Sequence, residues 1–187
     1  MVFFVLQIVV GIGEFYGRKQ SKHIRFMNTS FERTKASDEW YTPKELIDSL
    51  GEFDLDPCAP MKPLWRTAKV MYNKEDNGLK QNWGGYRVWL NPPYSRPLIE
   101  QFLKKMAEHG NGIALLFNRL DSVMMQEVVL KNAHAMKFLR KRIRFYREDG
   151  TQGGSPGCGS VLFAFGEKNA EILKNHPAEG VFVRLKE

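Results

Sequence analysis

The order of apolar and polar residues along the chain predicts short strands separated by helices. GIALLF (112–117) is a continuous apolar run, which is typical of a strand buried on both faces of a parallel sheet. RVWL (87–90) and SVLFAF (160–165) also have the composition of strands. SRPLIEQFLKKMAEHG carries apolar residues at helical spacing, which predicts a helix that is capped by Ser95 and ended by Gly110.

A second helix is predicted from its terminal signals. In TPKELIDSLG, Thr42 is the expected N-cap, Pro43 takes the first helical position and Glu45 completes a capping box. Gly51 is the expected stop, so the helix should cover residues 43–50.

Strands that alternate with helices predict a doubly wound α/β sheet, here closed by a β-hairpin around the glycine-rich loop 150–159. The further predicted elements are strands at FDLDP (53–57) and AKVMYN (68–73), a loop over 74–86 and a helix from its cap Asp121 to Ala133.

The composition predicts one soluble domain in a reducing compartment. The chain has 187 residues with 43% hydrophobic and 12% aromatic content, which argues against disorder and against two full domains. The two cysteines lack the spacing of a zinc site, so they are expected to be reduced thiols of a cytosolic protein. The net charge of +7 is weak evidence for a nucleic-acid partner, because more than half of it lies in residues 1–36.

The N-terminal stretch MVFFVLQIVVGIGEFYG resembles neither a signal peptide nor a membrane span, because its apolar run is short and no cleavage site follows. Its glycines imitate a phosphate-binding loop, but no helical pattern follows them. Residues 1–36 are therefore expected to be a mobile extension, with Met27 as a possible alternative start, and residues 37–187 to be the domain.

The stretch RVWLNPPYS places a polar amide directly after a strand, where open α/β sheets bind ligands. Pro92 and Pro93 restrict the backbone and donate no hydrogen bond, so Asn91 and nearby carbonyls should form a rigid cluster of acceptors. Acceptors that take both hydrogens of a conjugated amine would free its lone pair to attack an electrophilic methyl group. Tyr94 could hold the planar base by stacking, although the residues alone are equally compatible with a turn that caps a helix.

Four stretches, in the same order, resemble the phage-type DNA N6-adenine methyltransferases, the phage Dam family. They are DEWYTP (38–43), LDPCAP (55–60), EDNGLKQNW (75–83) and NPPY (91–94), and the likeness extends over roughly residues 37–166. The resemblance implies a Rossmann-like, S-adenosylmethionine-dependent methyltransferase fold. It further implies methylation of adenine N6 at a short site in double-stranded phage or prophage DNA, in the cytoplasm of a bacterial host, as protection against restriction.

The resemblance also implies a role for each matching residue. Asn91 and the Pro92 carbonyl would accept hydrogen bonds from the target amine, and Tyr94 would stack on the base. The catalytic set it implies is Asn91, Pro92, Pro93 and Tyr94. The resemblance also implies three groups of residues that bind S-adenosylmethionine. The first group closes over the cofactor and is Trp40, Thr42 and Pro43; the second lines its methionine portion and is Asp56, Pro57, Cys58 and Ala59. The third is Asp76, near the adenine of the cofactor.

The chain departs from the family pattern in two ways. Cys58-Ala59-Pro60 stands where a glycine-rich cofactor loop is usual. The short interval between Asp56 and Asn91 leaves little room for a helix and two strands, so a trimmed sheet is expected. Both Glu75 and Asp76 stay candidates for the cofactor ribose.

A basic segment is the candidate DNA contact. AMKFL leads into RKRIRFYRE, where Ile143 and Phe145 alternate with arginines, which is typical of a strand with one solvated face. Beside a DNA-directed site, contact with phosphates is the favoured interpretation. The candidate DNA-binding residues of this segment are Arg140, Lys141, Arg142, Arg144 and Arg147. Arg119 is a further candidate, because it follows GIALLF where the resemblance implies a polar segment near the active site, and there it could reach a phosphate, the cofactor or Asp121.

Other functions remain open on the sequence alone. The same chemistry could serve RNA or a protein glutamine, and a non-catalytic DNA-binding relative would keep the fold without the reaction. A cytosine C5 mechanism through Cys58 is rejected, because it leaves NPPY without a role. No metal is expected, and a monomer is the default.

Overall fold

The structure is a computed structural model that describes residues 40–186. The predicted extension 1–36, Met27 as a start, and Asp38 and Glu39 of DEWYTP lie outside the described residues.

Helices and short strands alternate along the described part of the chain. The strands are β1 (Leu55–Asp56), β2 (Val70–Met71), β3 (Val88–Leu90), β4 (Gly112–Phe117), β5 (Ala135–Leu139), β6 (Ser160–Phe165) and β7 (Gly180–Arg184). The helices are α1 (Lys44–Ser49), α2 (Leu98–His109), a π-helical turn (Met125–Val129) that continues into α3 (Leu130–Asn132), and α4 (Glu167–Asn175).

The strands of residues 40–186 form one sheet in the order β2-β1-β3-β4-β6-β5-β7. β2, β1, β3 and β4 are parallel, whereas β6 is antiparallel to both β4 and β5, and β7 is antiparallel to β5. The carboxyl ends of β1, β3, β4 and β5 therefore meet at one side of the sheet, which we call the carboxyl edge. The chain turns to opposite sides after β1 and after β3, so the crevice between these two strands is the place where open α/β sheets bind ligands.

Helices cover both faces of the sheet, because neighbouring side chains on a strand point to opposite faces. On β3, Val88 and Leu90 pack with Phe102 and Met106 of α2. Trp89, between them, packs on the other face with α1 and α4. The result is a mixed α/β fold with two apolar layers, and none of the helices in residues 40–186 has the length and apolar character needed to cross a membrane.

The longer predicted elements are confirmed. GIALLF and SVLFAF form β4 and β6 with the predicted bounds, and the predicted helix after NPPY is α2, which ends at Gly110 with φ 71°. The predicted strands at 53–57, 68–73 and 87–90 are present but shorter. The structure describes the whole stretch between β1 and β3, and no helix occurs in it. This agrees with the prediction that the short interval between Asp56 and Asn91 leaves little room for a helix.

Three predicted helix caps are wrong. Pro97, and not Ser95, is the N-cap residue of α2, which has no side-chain cap, and Ser95 accepts a hydrogen bond from the Ile99 amide only through its backbone carbonyl, at 3.2 Å. Pro43 is the N-cap residue of α1, with φ −50° and ψ 131°, and the hydroxyl of Thr42 accepts a hydrogen bond from Asn91 instead of capping the helix. After β4, the amide of Met125 donates to the hydroxyl of Ser122, at 3.4 Å, so Ser122 takes the capping role that was assigned to Asp121.

The segment RKRIRFYRE is not a strand, although its alternation of burial is confirmed. Phe145 is buried and Arg144 exposed, as predicted. Its backbone bonds to a neighbouring loop instead of a strand: Gly153 donates to the Phe145 carbonyl at 2.7 Å, and Tyr146 exchanges hydrogen bonds with Tyr41 at 3.0 and 2.9 Å.

The last two elements, α4 and β7, were not predicted. The helix α4 is only nine residues long, and Gly166 precedes it with φ 86°. Arg184 of β7 forms ion pairs with Glu167 and Glu171 of α4, so the two elements stabilise each other through contacts that a local pattern does not reveal.

Candidate active site at the carboxyl edge

Asn91 directly follows β3 at the carboxyl edge and continues its alternation, so its side chain lies on the face that α1 covers. Its Nδ2 donates to Thr42 Oγ1 at 3.2 Å. Its Oδ1 has no hydrogen-bond partner among residues 40–186, and the buried Pro92 that follows has no N–H to offer. The amide is therefore held at its nitrogen and open at its oxygen.

Tyr94 presents one face of its ring at the same edge. The other face stacks on Phe117, the last residue of β4, with ring centroids 4.4 Å apart and an angle of 27°. The Tyr94 hydroxyl accepts a hydrogen bond from the Phe117 amide at 2.8 Å, and the residue is 40% exposed. Desolvation raises the pKa of the phenol above its ordinary value, so Tyr94 is a neutral aromatic surface and not a base.

The element 40–43 is tied to the rest of the edge on both sides of Thr42. Trp65 Nε1 donates to the Thr42 carbonyl at 3.1 Å, and Tyr41 forms the backbone pair with Tyr146. The rings of Tyr41, Trp65 and Tyr146 also meet, at 6.4 and 5.2 Å between centroids. Trp40 packs over Gly153, where a β-carbon would come within 2.8 Å of its ring.

Asp56 ends β1 and shapes the loop that follows it. The carboxylate is 3% exposed and accepts hydrogen bonds from the Cys58 amide, at 2.9 Å, and from the Thr67 hydroxyl. Burial raises its pKa to about 6, although both hydrogen bonds oppose that shift. Both oxygens are therefore engaged within the protein, while Pro57 and Ala59 form a buried apolar wall.

Cys58 is not suited to nucleophilic attack. Burial and the neighbouring Asp56 carboxylate raise the pKa of its thiol well above the ordinary value, so the thiolate is disfavoured. This supports the rejection of a cytosine C5 mechanism.

The EDNGLKQNW stretch packs against the LDPCAP stretch. A β-carbon on Gly78 would lie 2.1 Å from the Pro57 carbonyl oxygen, so only glycine allows this approach. The indole of Trp83 fixes the same glycine by donating to its carbonyl at 2.9 Å. Asp76 is exposed beyond β2, where one carboxylate oxygen accepts from the Asn73 amide at 3.0 Å.

The candidate DNA-binding residues all follow β4 or β5 at the carboxyl edge, and all are exposed. Arg119 lies close enough to Tyr94 for its positive charge to oppose, in small part, the rise in the pKa of the phenol that desolvation causes. Three others bond to nearby groups: Arg140 to Glu179, Arg142 to the Pro156 carbonyl and Arg147 to the Thr151 hydroxyl. In the described part of the chain Lys141 and Arg144 form no ion pair, so their charges are available.

Sequence reasoning missed the residues that support the site. Phe117 closes the apolar run of β4, and the end of that run was a usable signal for a position at the carboxyl edge. Trp65 and Thr67 lie in an irregular segment without periodicity, so no pattern marked them, and Tyr146 follows directly after the alternating positions that end at Phe145.

A surface cleft of about 670 Å³ lies at the opposite side of the sheet. It is lined by Arg87, whose guanidinium is already bonded to the Leu50 and Glu52 carbonyls and to Asn169. The guanidinium of Arg87 is therefore already engaged within the protein. In residues 40–186 no group of His, Cys, Asp and Glu is arranged to bind a metal ion.

A family model and two phage proteins that resemble this chain carry the same description. The family model described as DNA N-6-adenine-methyltransferase (Dam) matches residues 29–175. A DNA N-6-adenine-methyltransferase of Escherichia phage T1 is 32% identical over 154 residues, which cover 78% of this chain and 62% of the relative. One of Haemophilus phage HP1 (strain HP1c1) is 29% identical over 128 residues, covering 62% of this chain and 72% of the relative. The chain thus spans about three fifths of the length of the phage T1 relative, and no solved structure matches it significantly.

Replacing Asp56 by Asn should change how stability depends on pH. The pKa of Asp56 is about 6 in the folded chain against 3.8 without perturbation, so the unfolded chain loses its proton first. The contribution of Asp56 to the free energy of unfolding is therefore full below about pH 4 and falls as pH rises to about 6. Urea denaturation from pH 4 to 7 should show wild type losing stability relative to Asp56→Asn across this window.

Asp54→Asn is the control: the Arg87 amide lowers the pKa of Asp54 below 3.8, so the advantage of wild type over Asp54→Asn is gained below about pH 4 and the difference should stay nearly constant from there to pH 7. A wild type that gains stability over Asp56→Asn as pH rises from 4 to 6 would contradict the assignment of a buried, destabilised carboxylate.

Proposed function

Because the chain belongs to the DNA N-6-adenine-methyltransferase (Dam) family, we propose that it transfers a methyl group from S-adenosylmethionine to the N6 amine of adenine in double-stranded DNA. The observation that carries the proposal is Asn91, whose amide is held through its nitrogen and open at its oxygen beside the ring of Tyr94. The printed names of both phage relatives state adenine in DNA. A short site in phage or prophage DNA, in the cytoplasm of the bacterial host, is the proposed target, with protection against restriction as the purpose.

Asn91 and Pro92 supply acceptors for the amine. Asn91 Oδ1 has no partner in the part of the chain that the structure describes, and the Pro92 carbonyl follows it in a backbone restricted by two prolines. Two acceptors that hold the hydrogens of the amine draw its nitrogen towards a tetrahedral shape and free its lone pair. Preorganised polar groups of this kind stabilise developing charge without a strong base.

Tyr94 provides the surface for the target base. An adenine stacked in a duplex cannot reach a side chain at the end of a strand, so the base must leave the helix. The face of Tyr94 that Phe117 does not cover is available to stack on it.

The residues around the β1 and β3 ends fit the cofactor. Thr42 is buried with a hydroxyl hydrogen that has no acceptor among the described residues, and Pro57 and Ala59 are apolar. We place the exposed Asp76 near the adenine of the cofactor, and Glu75 and Asp76 are both candidates for its ribose. S-adenosylmethionine, when bound, supplies a methyl group on a sulfonium. Trp40 and Pro43 belong to the same short element as Thr42, and the Cys58 amide donates to Asp56 in the loop after β1, so we assign these residues to the same pocket.

The sheet is consistent with a trimmed, Rossmann-like methyltransferase domain over residues 37–187. In support, four strands are parallel, no helix separates β1 from β3, and the antiparallel β6 lies between β4 and β5. The antiparallel pair β5 and β6, joined by residues 140–159, corresponds to the proposed closing hairpin.

Incubation of unmethylated DNA with methyl-labelled S-adenosylmethionine, followed by nucleoside analysis, tests the activity. We expect N6-methyladenine from wild type. Asn91→Ala should lower the rate by about 100-fold or more, because preorganised hydrogen-bonding groups at a reacting centre contribute that much. Asn175→Ala, which changes an exposed asparagine at the end of α4 and outside the four motif stretches, is the matched control and should keep full activity.

The same assay with RNA and with protein separates the competing functions. Label on RNA, on cytosine or on a protein glutamine, with none on DNA adenine, would overturn the proposal. Retention of DNA without transfer to any substrate would indicate a non-catalytic relative.

The basic segment after β5 should bind phosphates. Arg144 is exposed without an ion pair among the described residues, so Arg144→Ala should weaken binding equally for DNA of different sequences. The slope of log affinity against log salt should fall by about one. Fluorescence anisotropy at several salt concentrations measures both, and Lys168→Ala, at the start of α4 on the opposite side of the sheet, should bind like wild type. Equal slopes for wild type and Arg144→Ala would count against this contact.

A further inference from the structure

Thr42 is placed to control the orientation of Asn91. It is 4% exposed, and its Oγ1 accepts the only side-chain hydrogen bond that Asn91 makes within residues 40–186, at 3.2 Å from Nδ2. We propose that Thr42 is a positioning residue, which holds the Asn91 amide so that Oδ1, and not the NH₂ group, faces the target amine. The proposal rests on the proposed function and deepens it.

The two ends of an amide differ in chemistry, so its orientation decides whether Asn91 can act. Oδ1 accepts hydrogen bonds, whereas Nδ2 only donates them. An amide turned by 180° would place its own N–H groups against the N–H groups of the amine, and no hydrogen bond could form. A hydroxyl can donate as well as accept, so Thr42 selects this orientation once its own hydrogen is taken by the cofactor proposed above. Oγ1 can then only accept, and an amide turned by 180° would lose the hydrogen bond.

The backbone on both sides of Thr42 is restrained by tertiary contacts. Its carbonyl accepts from Trp65 Nε1 at 3.1 Å, and its neighbour Tyr41 is paired with Tyr146 through two backbone hydrogen bonds. Pro43 follows with a φ fixed by its ring. Thr42 is itself β-branched, which restricts its χ1 angle, so the hydroxyl has few other positions to adopt.

The hydroxyl of Thr42 is not engaged in capping α1. Pro43 is the N-cap residue, so Thr42 lies one position before the cap. Here α1 has no side-chain cap, and the hydroxyl reaches Asn91 across 49 positions of the chain. The contact is therefore tertiary and specific, and it is not a by-product of helix capping.

The test compares Thr42→Val, which keeps the shape but removes the acceptor, with Thr42→Ser, which keeps the acceptor. The first readout needs no activity. The Asn91 side-chain amide signals, identified in ¹⁵N-labelled protein by their loss in Asn91→Ala, should exchange slowly with solvent in wild type and Thr42→Ser, and rapidly in Thr42→Val. Thr151→Val, on an exposed loop, is the matched control and should leave these signals unchanged.

The second readout is kinetic. At saturating S-adenosylmethionine, Thr42→Val should lower kcat for DNA methylation about tenfold, as expected when one hydrogen bond that orients a reacting group is lost. The KM for DNA should change much less, and Thr42→Ser should recover most of the rate. If Thr42→Val does not fold, Thr42→Ala takes its place with the same expected results.

The possible outcomes distinguish failure of the positioning role of Thr42 from failure of the proposed methyltransferase function. Unchanged amide exchange and unchanged kcat in Thr42→Val would overturn the positioning role while the proposed function stands. Weaker binding of S-adenosylhomocysteine by calorimetry, with kcat unchanged at saturation, would also overturn it, because Thr42 would then act on the cofactor alone. The expected amide exchange in a wild type that methylates no adenine would instead refute the proposed function.

Discussion

The parallel pairing of β1, β3 and β4 is the constraint on which the candidate site depends. Leu55 lies opposite Val88, and Val88 lies opposite Gly112, so these three strands begin at the same level. Leu90 ends β3 opposite Ala114, and β4 continues beyond it to Phe117. The pairing is close: a β-carbon on Gly112 would lie 2.1 Å from the Val88 carbonyl oxygen. Because β3 is short and fully buried, Asn91 is carried to the carboxyl edge with little freedom to move.

The site is completed by segments that are remote in sequence and irregular in structure. Thr42 approaches Asn91 from before α1, and the loop after β5 supports Thr42 through the backbone pair of Tyr41 and Tyr146. The same loop carries the exposed basic residues. Contacts with DNA, with the cofactor and with the target amine are therefore proposed to involve one connected group of residues at the carboxyl edge.

The sequence revealed most of the sheet and the identity of the motifs, but not how the motifs contact one another. A long apolar run such as GIALLF can be assigned from its own residues, since a strand buried on both faces of a sheet is the structure that suits such a run. Thr42 was misassigned because its local context favours a cap, and the competing donor is distant in sequence. RKRIRFYRE was misassigned because its alternation reports burial, while the neighbour that decides its hydrogen bonds is the loop at Gly153. Phe117 lacked a signal apart from its place at the end of β4.

Hydrogen–deuterium exchange with and without S-adenosylhomocysteine tests most directly whether ligands bind at the carboxyl edge. We predict slower exchange at the amides of Thr42, Cys58, Ala59 and Asn91, and unchanged exchange around the cleft at the opposite side of the sheet, near Gly51 and Asn111. Slower exchange at that cleft, with none at the ends of β1 and β3, would contradict the account.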